Sequence, residues 1–156
     1  MSVGDICNRE VICIQPHEDL ADAVRLMRRH HVGDLVVVED QAGLRHPIGI
    51  VTDRDIVVRV VGQGLPLDDF SVADVMTHEL TTARESDPVP ETLRRMREKG
   101  VRRLPIVDER NHLKGILTAD DVIDLLAEEI GNLAQLIKNE YHREIRQTVP
   151  DKETVE

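Results

Sequence analysis

Apolar residues in this chain form short runs and helical stripes in a fixed order. Three continuous apolar runs predict short strands, at residues 11–14, 35–38 and 48–51. Apolar residues three or four positions apart predict a helix over residues 18–30, and a second helix follows over residues 53–61. Gly62-Gln63-Gly64 ends that second helix, and a polar loop around Gln41 and His46 separates the last two strands. The first half therefore predicts the order strand, helix, strand, strand, helix.

The second half repeats this order with nearly the same spacing. The stretch Gly49-Ile50-Val51-Thr52-Asp53-Arg54-Asp55 returns as Gly115-Ile116-Leu117-Thr118-Ala119-Asp120-Asp121, 66 positions later. Earlier positions return 69 later, because the loop around Asn111 is three residues shorter than its counterpart. Strands are predicted at residues 80–83 and 104–107, and the helix between them has Asp87 as its cap and Pro88 as its first residue. We therefore expect a mixed α/β (α+β) fold of two β-α-β-β-α repeats with pseudo-twofold symmetry, residues 1–66 and 67–130, with a linker over residues 62–72.

The last helix of the second repeat is predicted to continue beyond its repeat. Its apolar residues lie three or four apart as far as about Arg146, at Val122, Leu126, Ile130, Leu133, Ile137, Tyr141 and Ile145. Gly131 and Asn132 are a predicted kink, and we assign residues 131–156 to a helical extension whose polar end, from Thr148, is frayed. Such a stripe covers the opposite half, a second chain or its own core, and the sequence favours none of these.

Composition limits the classes of protein to which the chain can belong. Among its 156 residues 40% are apolar, but Trp is absent and Phe70 and Tyr141 are the only aromatic residues, so the core must be aliphatic. No apolar run reaches the roughly 18–20 residues of a membrane span, and no signal peptide opens the chain, which predicts a cytoplasmic protein. Cys7 and Cys13 match no zinc spacing, and we expect ordinary thiols, with a disulfide as the alternative. The seven histidines show no metal-binding spacing either, so no metal site is predicted.

The net charge argues against nucleic acids as partners. The chain carries 30 acidic residues and 20 Lys and Arg, which gives a formal charge of -10. Such a surface repels phosphate backbones, and the chain lacks the aromatic side chains on which bases stack. An anionic small ligand is then expected only where arginines gather locally.

The repeated Thr-x-x-Asp has two physical interpretations. Thr52 and Thr118 fall at the start of a helix, where a hydroxyl and the helix dipole favour an anion. Asp55 and Asp121, three residues on, can each accept two hydrogen bonds from the neighbouring hydroxyls of a ribose. The same pattern is also a capping box, which needs no ligand.

Both repeats resemble the cystathionine β-synthase domain (CBS domain) family. The resemblance is carried by Val101-Arg102-Arg103-Leu104-Pro105-Ile106-Val107-Asp108 ahead of Gly-Ile-Leu-Thr-x-x-Asp, and it covers residues 3–127. It implies a module of two repeats that forms a disk-like dimer and binds AMP, ADP, ATP or S-adenosylmethionine between the repeats.

The resemblance also implies roles for particular residues. Thr52, Asp55, Thr118 and Asp121 would contact ribose and phosphate. The backbone of the strands around Ile12, Ile14, Thr82, Val36 and Pro105 would frame the adenine. The cationic residues are divided, since Arg54 has no counterpart in the second repeat and Arg102 and Arg103 have none in the first. One arrangement would place Arg54 in one cleft and Arg102 or Arg103 in the other.

Three functions are compatible with these observations. The first is an adenosyl-nucleotide sensor that acts through a homodimer on an unknown regulated protein and requires no cofactor. The second is a structural or interaction module that binds no ligand. The third, an enzyme, is disfavoured because no catalytic constellation accompanies the repeats. For the homodimer we expect an interface formed by the helices after Thr52 and Thr118 and by residues 122–146.

Overall fold

The computed structural model describes residues 1–148. It forms two compact units, residues 1–119 and a second unit that starts at Asp120. The first unit contains two three-stranded sheets, and the second consists of nearly all of one long helix. No helix among the described residues combines the length and apolar character that crossing a membrane requires.

The two sheets share one topology. In the first sheet β1 (Cys13–Ile14) runs parallel to β2 (Asp34–Gln41), which runs antiparallel to β3 (Leu44–Thr52). The second sheet repeats this with β4 (Ala83–Arg84), β5 (Arg103–Val107) and β6 (Leu113–Thr118). The helices are α1 (Val3–Ile6), α2 (Leu20–His30), α3 (Asp53–Arg59), α4 (Val72–Val75), α5 (Val89–Lys99) and α6 (Ala119–Gln147). Two β-α-β-β-α repeats are therefore present, as the sequence predicted.

The first segment of each repeat forms hydrogen bonds with the sheet of the other repeat. The Gly4 amide, in α1, donates to the Glu85 carbonyl at 2.9 Å, and Asn8 pairs with Ile116 on β6. Correspondingly, the Thr77 amide that follows α4 donates to the Ile50 carbonyl on β3 at 2.8 Å. This exchange joins the two repeats into one unit, although their boundary in the sequence is still a proposal.

The core is aliphatic, as composition required. In the first repeat the buried side chains come from one face of the sheet and from α2, α3 and α4, and include Leu20, Leu35, Val51, Ile56, Val72 and Val75. A smaller cluster joins the two sheets and consists of Val36, Val38, Leu113 and Ile116. Burying these side chains fixes the position of β2 in the first sheet against β6 in the second.

Several predicted boundaries are wrong. The polar residues around Gln41 and His46 are not a loop, because β2 and β3 continue as an exposed hairpin closed at Ala42 and Gly43, both with positive φ. The first strand of each repeat is only two residues long. Helix α3 ends at Arg59 and is followed by a 3-10 turn, Val61–Gln63, and Pro88 is the cap of α5 rather than its first residue.

The C-terminal helix is continuous. Helix α6 continues through Gly131 and Asn132 as a single helix. The predicted frayed end, apart from Thr148, lies outside the described residues. No disulfide joins Cys7 and Cys13.

Candidate functional site

A cleft of about 470 Å³ lies between the two repeats inside the first unit. From the first repeat it takes the end of β3 and the start of α3, and from the second it takes the residues before β4 and before β5. Its lining residues are Ile50, Thr52, Asp53, Arg54, Thr77, Glu79, Leu80, Thr81, Gly100, Val101, Arg102, Arg103 and Leu104. The volume is within the range of small-molecule sites, roughly 300–1,000 Å³.

Thr52 stands at the point where β3 becomes α3. Its hydroxyl accepts a hydrogen bond from the Asp55 amide at 3.1 Å, and the Asp55 carboxylate accepts one from the Thr52 amide at 3.3 Å. The capping box that the sequence permitted is therefore formed. A carboxylate can accept about four hydrogen bonds, so this contact leaves capacity for a ligand.

The three arginines singled out in the sequence share one cleft. Arg54 enters it from α3, Arg102 from the residue before β5, and Arg103 from the first residue of β5. The arrangement in which Arg54 serves one cleft and Arg102 or Arg103 the other is therefore wrong. The exchanged first segments explain this, because they place the start of α3 beside the start of β5.

Acidic groups moderate the positive charge of this cleft. Asp53 and Glu79 line it, and the Arg103 Nε lies 3.5 Å from the Asp34 Oδ1. Burial raises the pKa of Asp34, Arg103 opposes that rise, and the nearby Asp53 adds to it. Arg103 is thus partly neutralised inside the protein, whereas Arg54 is exposed to solvent.

The apolar wall of the cleft differs from the predicted adenine pocket. Ile50, Leu80, Val101 and Leu104 provide it. Sequence reasoning missed the two residues for different reasons. Leu80 belongs to the strand predicted at residues 80–83 but lies before β4, and Val101 lies before the strand predicted at residues 104–107.

The predicted adenine residues are placed elsewhere in the described chain. Val36 belongs to the cluster between the sheets, and Ile14 and Ile12 pack in the core of the first repeat. Pro105 is buried within β5, and Thr82 lines a separate cavity with Arg84 and Asp108. A contact between these residues and an adenine would therefore have to come from their backbone atoms, or would require a change in the conformation of the protein.

Thr118 repeats the local geometry of Thr52. The Ala119 amide donates to the Arg102 carbonyl at 2.8 Å, just as the Asp53 amide donates to the Gly33 carbonyl at 2.9 Å. Thr118 pairs with Arg103 across β5 and β6, and Asp121 belongs to the second unit. Among the described residues, no group of three or more His, Cys, Asp and Glu side chains is arranged to hold a metal ion.

Two sheets of the same topology with a cleft between them define a tandem repeat. The CBS domain family matches residues 3–62 and 72–128, and the chain belongs to this family. The matched residues form a pair of CBS domains and not the catalytic domain of an enzyme.

Relatives agree with this assignment. An uncharacterized protein of Methanopyrus kandleri is 38% identical over 125 residues, which are 80% of this chain and 62% of that protein. The CBS domain-containing protein YhcV of Bacillus subtilis is 36% identical over 78% of this chain and 82% of its own length. The chain therefore spans less than two thirds of the first of these relatives and most of the second.

Solved structures share the fold. An uncharacterized conserved protein from Pyrococcus horikoshii superposes with a TM-score of 0.70 at 31% identity, covering 80% of this chain and 90% of its own. The CBS domain pair of protein MJ0100, in complex with 5'-methylthioadenosine and S-adenosyl-L-methionine, superposes with a TM-score of 0.72 at 23% identity, over 83% of this chain and 98% of its own. At that lower identity the second likeness shows the fold alone.

Proposed function

We propose that this chain is a regulatory module that binds an adenosyl nucleotide between its repeats and acts as a homodimer in the cytoplasm. The observation that carries this proposal is the convergence of Arg54, Arg102 and Arg103 on one partly apolar cleft. In a protein of formal charge -10, such a local gathering of cations has a specific use, which is to bind an anion.

The charges of the cleft favour phosphate-bearing ligands. AMP, ADP or ATP would place its phosphates near Thr52 and Arg54, with Arg102 and Arg103 on the opposite side and the base against Leu80, Val101 and Leu104. S-adenosylmethionine carries a sulfonium cation, which three arginines would repel. Although MJ0100 binds this ligand, we expect the present cleft to rank it below AMP and ATP.

The position of the cleft suggests how a ligand could regulate a partner. Both repeats contribute to its lining, so a bound nucleotide favours the relative orientation of the repeats that contacts it best. In a homodimer that preference would alter the surface offered to a regulated protein. The exposed valines of α3, Val57 and Val58, are more than half accessible and provide apolar surface for the second copy.

A ligand-free interaction module is the second candidate. The capping boxes at Ser2, Thr52 and Ser71 are complete without any ligand, so the Thr-x-x-Asp of the first repeat need have no role beyond capping α3. Isothermal titration calorimetry separates the two candidates. We expect AMP or ATP to bind, adenosine to bind more weakly and S-adenosylmethionine to bind most weakly. If none of the four released or absorbed heat and none raised the melting temperature, the nucleotide proposal would fail.

A further inference from the structure

Helix α6 carries an apolar stripe that the single chain leaves exposed. Every residue from Leu126 to Thr148 is exposed to solvent. The stripe consists of six residues that lie three or four positions apart and are each 53–66% accessible: Ile123, Leu126, Ile130, Leu133, Ile137 and Tyr141. The first five keep the alternating three-four spacing of a coiled-coil seam, so this surface is suited to a second helix.

The charges of α6 are separated along its length. Its first half, from Ala119 to Leu133, contains no Lys or Arg and five acids, Asp120, Asp121, Asp124, Glu128 and Glu129. Its second half contains three cationic residues, Lys138, Arg143 and Arg146, and two acids, Glu140 and Glu144. The formal charge is therefore -5 over the first half and +1 over the second.

This separation of charge along α6 indicates which helix packs against the stripe and in which orientation. A second α6 in parallel orientation would place five acids against five acids, which is unfavourable. In antiparallel orientation the acidic half of each helix faces the basic half of the other, and the two helix dipoles also oppose each other. Two copies of α6 are thus complementary in charge when they are antiparallel.

We propose that α6 pairs with the α6 of a second copy in antiparallel orientation, with its midpoint between Leu133 and Ala134. Around this midpoint Leu126 lies level with Tyr141 of the other helix, and Ile130 lies level with Ile137, since the members of each pair are equidistant from it. The pairing rests on the homodimer proposed above and gives that homodimer a defined contact outside the ligand cleft.

Disulfide crosslinking tests the direction of the pairing. Ala127 and Ala134 are exposed, border the stripe and lie two helical turns apart on the same side of α6. In the antiparallel pair two Ala134 residues are level to within about 1.5 Å, whereas two Ala127 residues are about 20 Å apart along the axis. A disulfide needs Cα atoms closer than about 7 Å. We therefore expect Ala134→Cys to form a covalent dimer on oxidation and Ala127→Cys not to do so, with the unsubstituted chain, which retains Cys7 and Cys13, as the background.

The outcomes separate this proposal from the homodimer itself. Crosslinking at both positions would mean parallel helices and overturn the proposal. Crosslinking at neither, with a dimer still present in sedimentation, would overturn the α6 pairing and leave the homodimer intact, whereas a monomer would overturn both.

A charge variant provides a second test of the same pairing. Replacing Lys138, Arg143 and Arg146 by Glu makes both halves of α6 acidic, and we expect the dimer dissociation constant to rise at least about tenfold at low salt. The matched control replaces Arg25, Arg28 and Arg29 of α2 by Glu, which changes the net charge equally outside α6. An equal weakening in both variants would show a general charge effect and contradict the pairing.

Discussion

The Asp34 Oδ1 lies 3.5 Å from the Arg103 Nε, although the two residues occupy equivalent positions in the two repeats. Asp34 begins β2 and pairs with Thr52, while Arg103 begins β5 and pairs with Thr118. Repeat symmetry brings these positions together, and identical charges there would repel. The opposite charges of Asp34 and Arg103 therefore attract the two repeats to each other. They also make the repeats unequal, because the arginines then lie together in the cleft beside Thr52.

This ion pair predicts a specific dependence of stability on pH. Burial raises the pKa of Asp34 above its unfolded value, so this group alone makes the free energy of unfolding fall as the pH rises through the interval between the two values. Arg103→Met removes the cation that limits the rise. We expect this change to cost about 1–3 kcal/mol at neutral pH, between the values for exposed and buried pairs. The cost should shrink as Asp34 becomes protonated in acid.

Urea denaturation at several pH values checks this expectation. The control is Asp34→Asn combined with Arg103→Met, which removes both charges and should restore most of the stability at neutral pH. A loss from Arg103→Met that is the same at every pH, or that Asp34→Asn does not relieve, would contradict an electrostatic role for the pair.

Arg54 should matter for ligands that carry phosphate and for no others. It is exposed, lines the cleft and belongs to the first turn of α3. Because hydrogen bonds to charged groups are worth about 1.5–3 kcal/mol, Arg54→Ala should weaken AMP or ATP binding by roughly ten- to a hundredfold. Adenosine binding should be nearly unchanged. Calorimetry measures both constants, with Arg28→Ala on the exposed face of α2 as the charge-matched control; equal losses in the two variants would remove Arg54 from the site.

Two glycines should prove necessary for the exchange of the first segments. A Cβ on Gly49 would lie 2.7 Å from the Thr77 carbonyl oxygen, and one on Gly115 would lie 2.7 Å from the Cys7 Sγ and 2.8 Å from the Asn8 carbonyl oxygen. Gly49→Ala and Gly115→Ala should each destabilise the fold by about 1–3 kcal/mol, since backbone and a partly buried sulfur must move. Gly131→Ala is the matched control, because its Cβ meets nothing within 4 Å and its helix should gain about 0.5–1 kcal/mol. Equal effects at all three positions in denaturation experiments would refute the close approach.

The helix after Thr52 should contribute to the dimer. Val57 and Val58 are 55% and 56% exposed on α3, so a charge there need not disturb the fold of the monomer. Val58→Asp should shift the chain towards monomer by burying an unpaired charge in the interface. Light scattering at about 50 µM measures the shift, and Val24→Asp on α2, where the valine is 38% exposed, is the control. A dimer unaffected by Val58→Asp would exclude this face of α3.

The order of the elements and the repeat could be predicted from the sequence because they depend on local patterns. The apolar runs, the stripes and the Thr-x-x-Asp capping signal each arise within a few residues, and the structure confirms their order. The sharing of a cleft by Arg54 and Arg102 could not be predicted, because it depends on which sheet receives the segments around Asn8 and Thr77. The signal was present in Gly49 and Gly115, whose missing side chains mark the positions where those segments approach.

The predicted ends of the strands were wrong for a related reason. Residues 39–46 are mostly polar and form a hairpin that is largely exposed, and polarity alone does not distinguish an exposed hairpin from a loop. The predicted adenine residues came from the family resemblance and concern backbone positions, so burial of the Val36 and Ile14 side chains leaves that prediction untested.

Asp55 separates a ligand site from a simple cap. If its carboxylate holds a ribose, Asp55→Ala should weaken nucleotide binding by roughly ten- to a hundredfold, from hydrogen bonds of about 1.5–3 kcal/mol. The same change also removes the capping bond at 3.3 Å to the Thr52 amide and should cost about 0.5–2 kcal/mol of stability. Asp55→Asn is the matched control, because an amide oxygen can keep the cap while the negative charge that strengthens the ribose bonds is lost.

Asp121 should show the smaller effect on binding. Arg54 adjoins Asp55 in the sequence, whereas Asp120 adjoins Asp121 and adds a second negative charge that a nucleotide would meet. Calorimetry and melting curves on Asp55→Ala, Asp55→Asn and Asp121→Ala measure affinity and stability separately. Unchanged affinity in all three variants would leave only the capping role, and a greater loss from Asp121→Ala than from Asp55→Ala would reverse the order of the two sites.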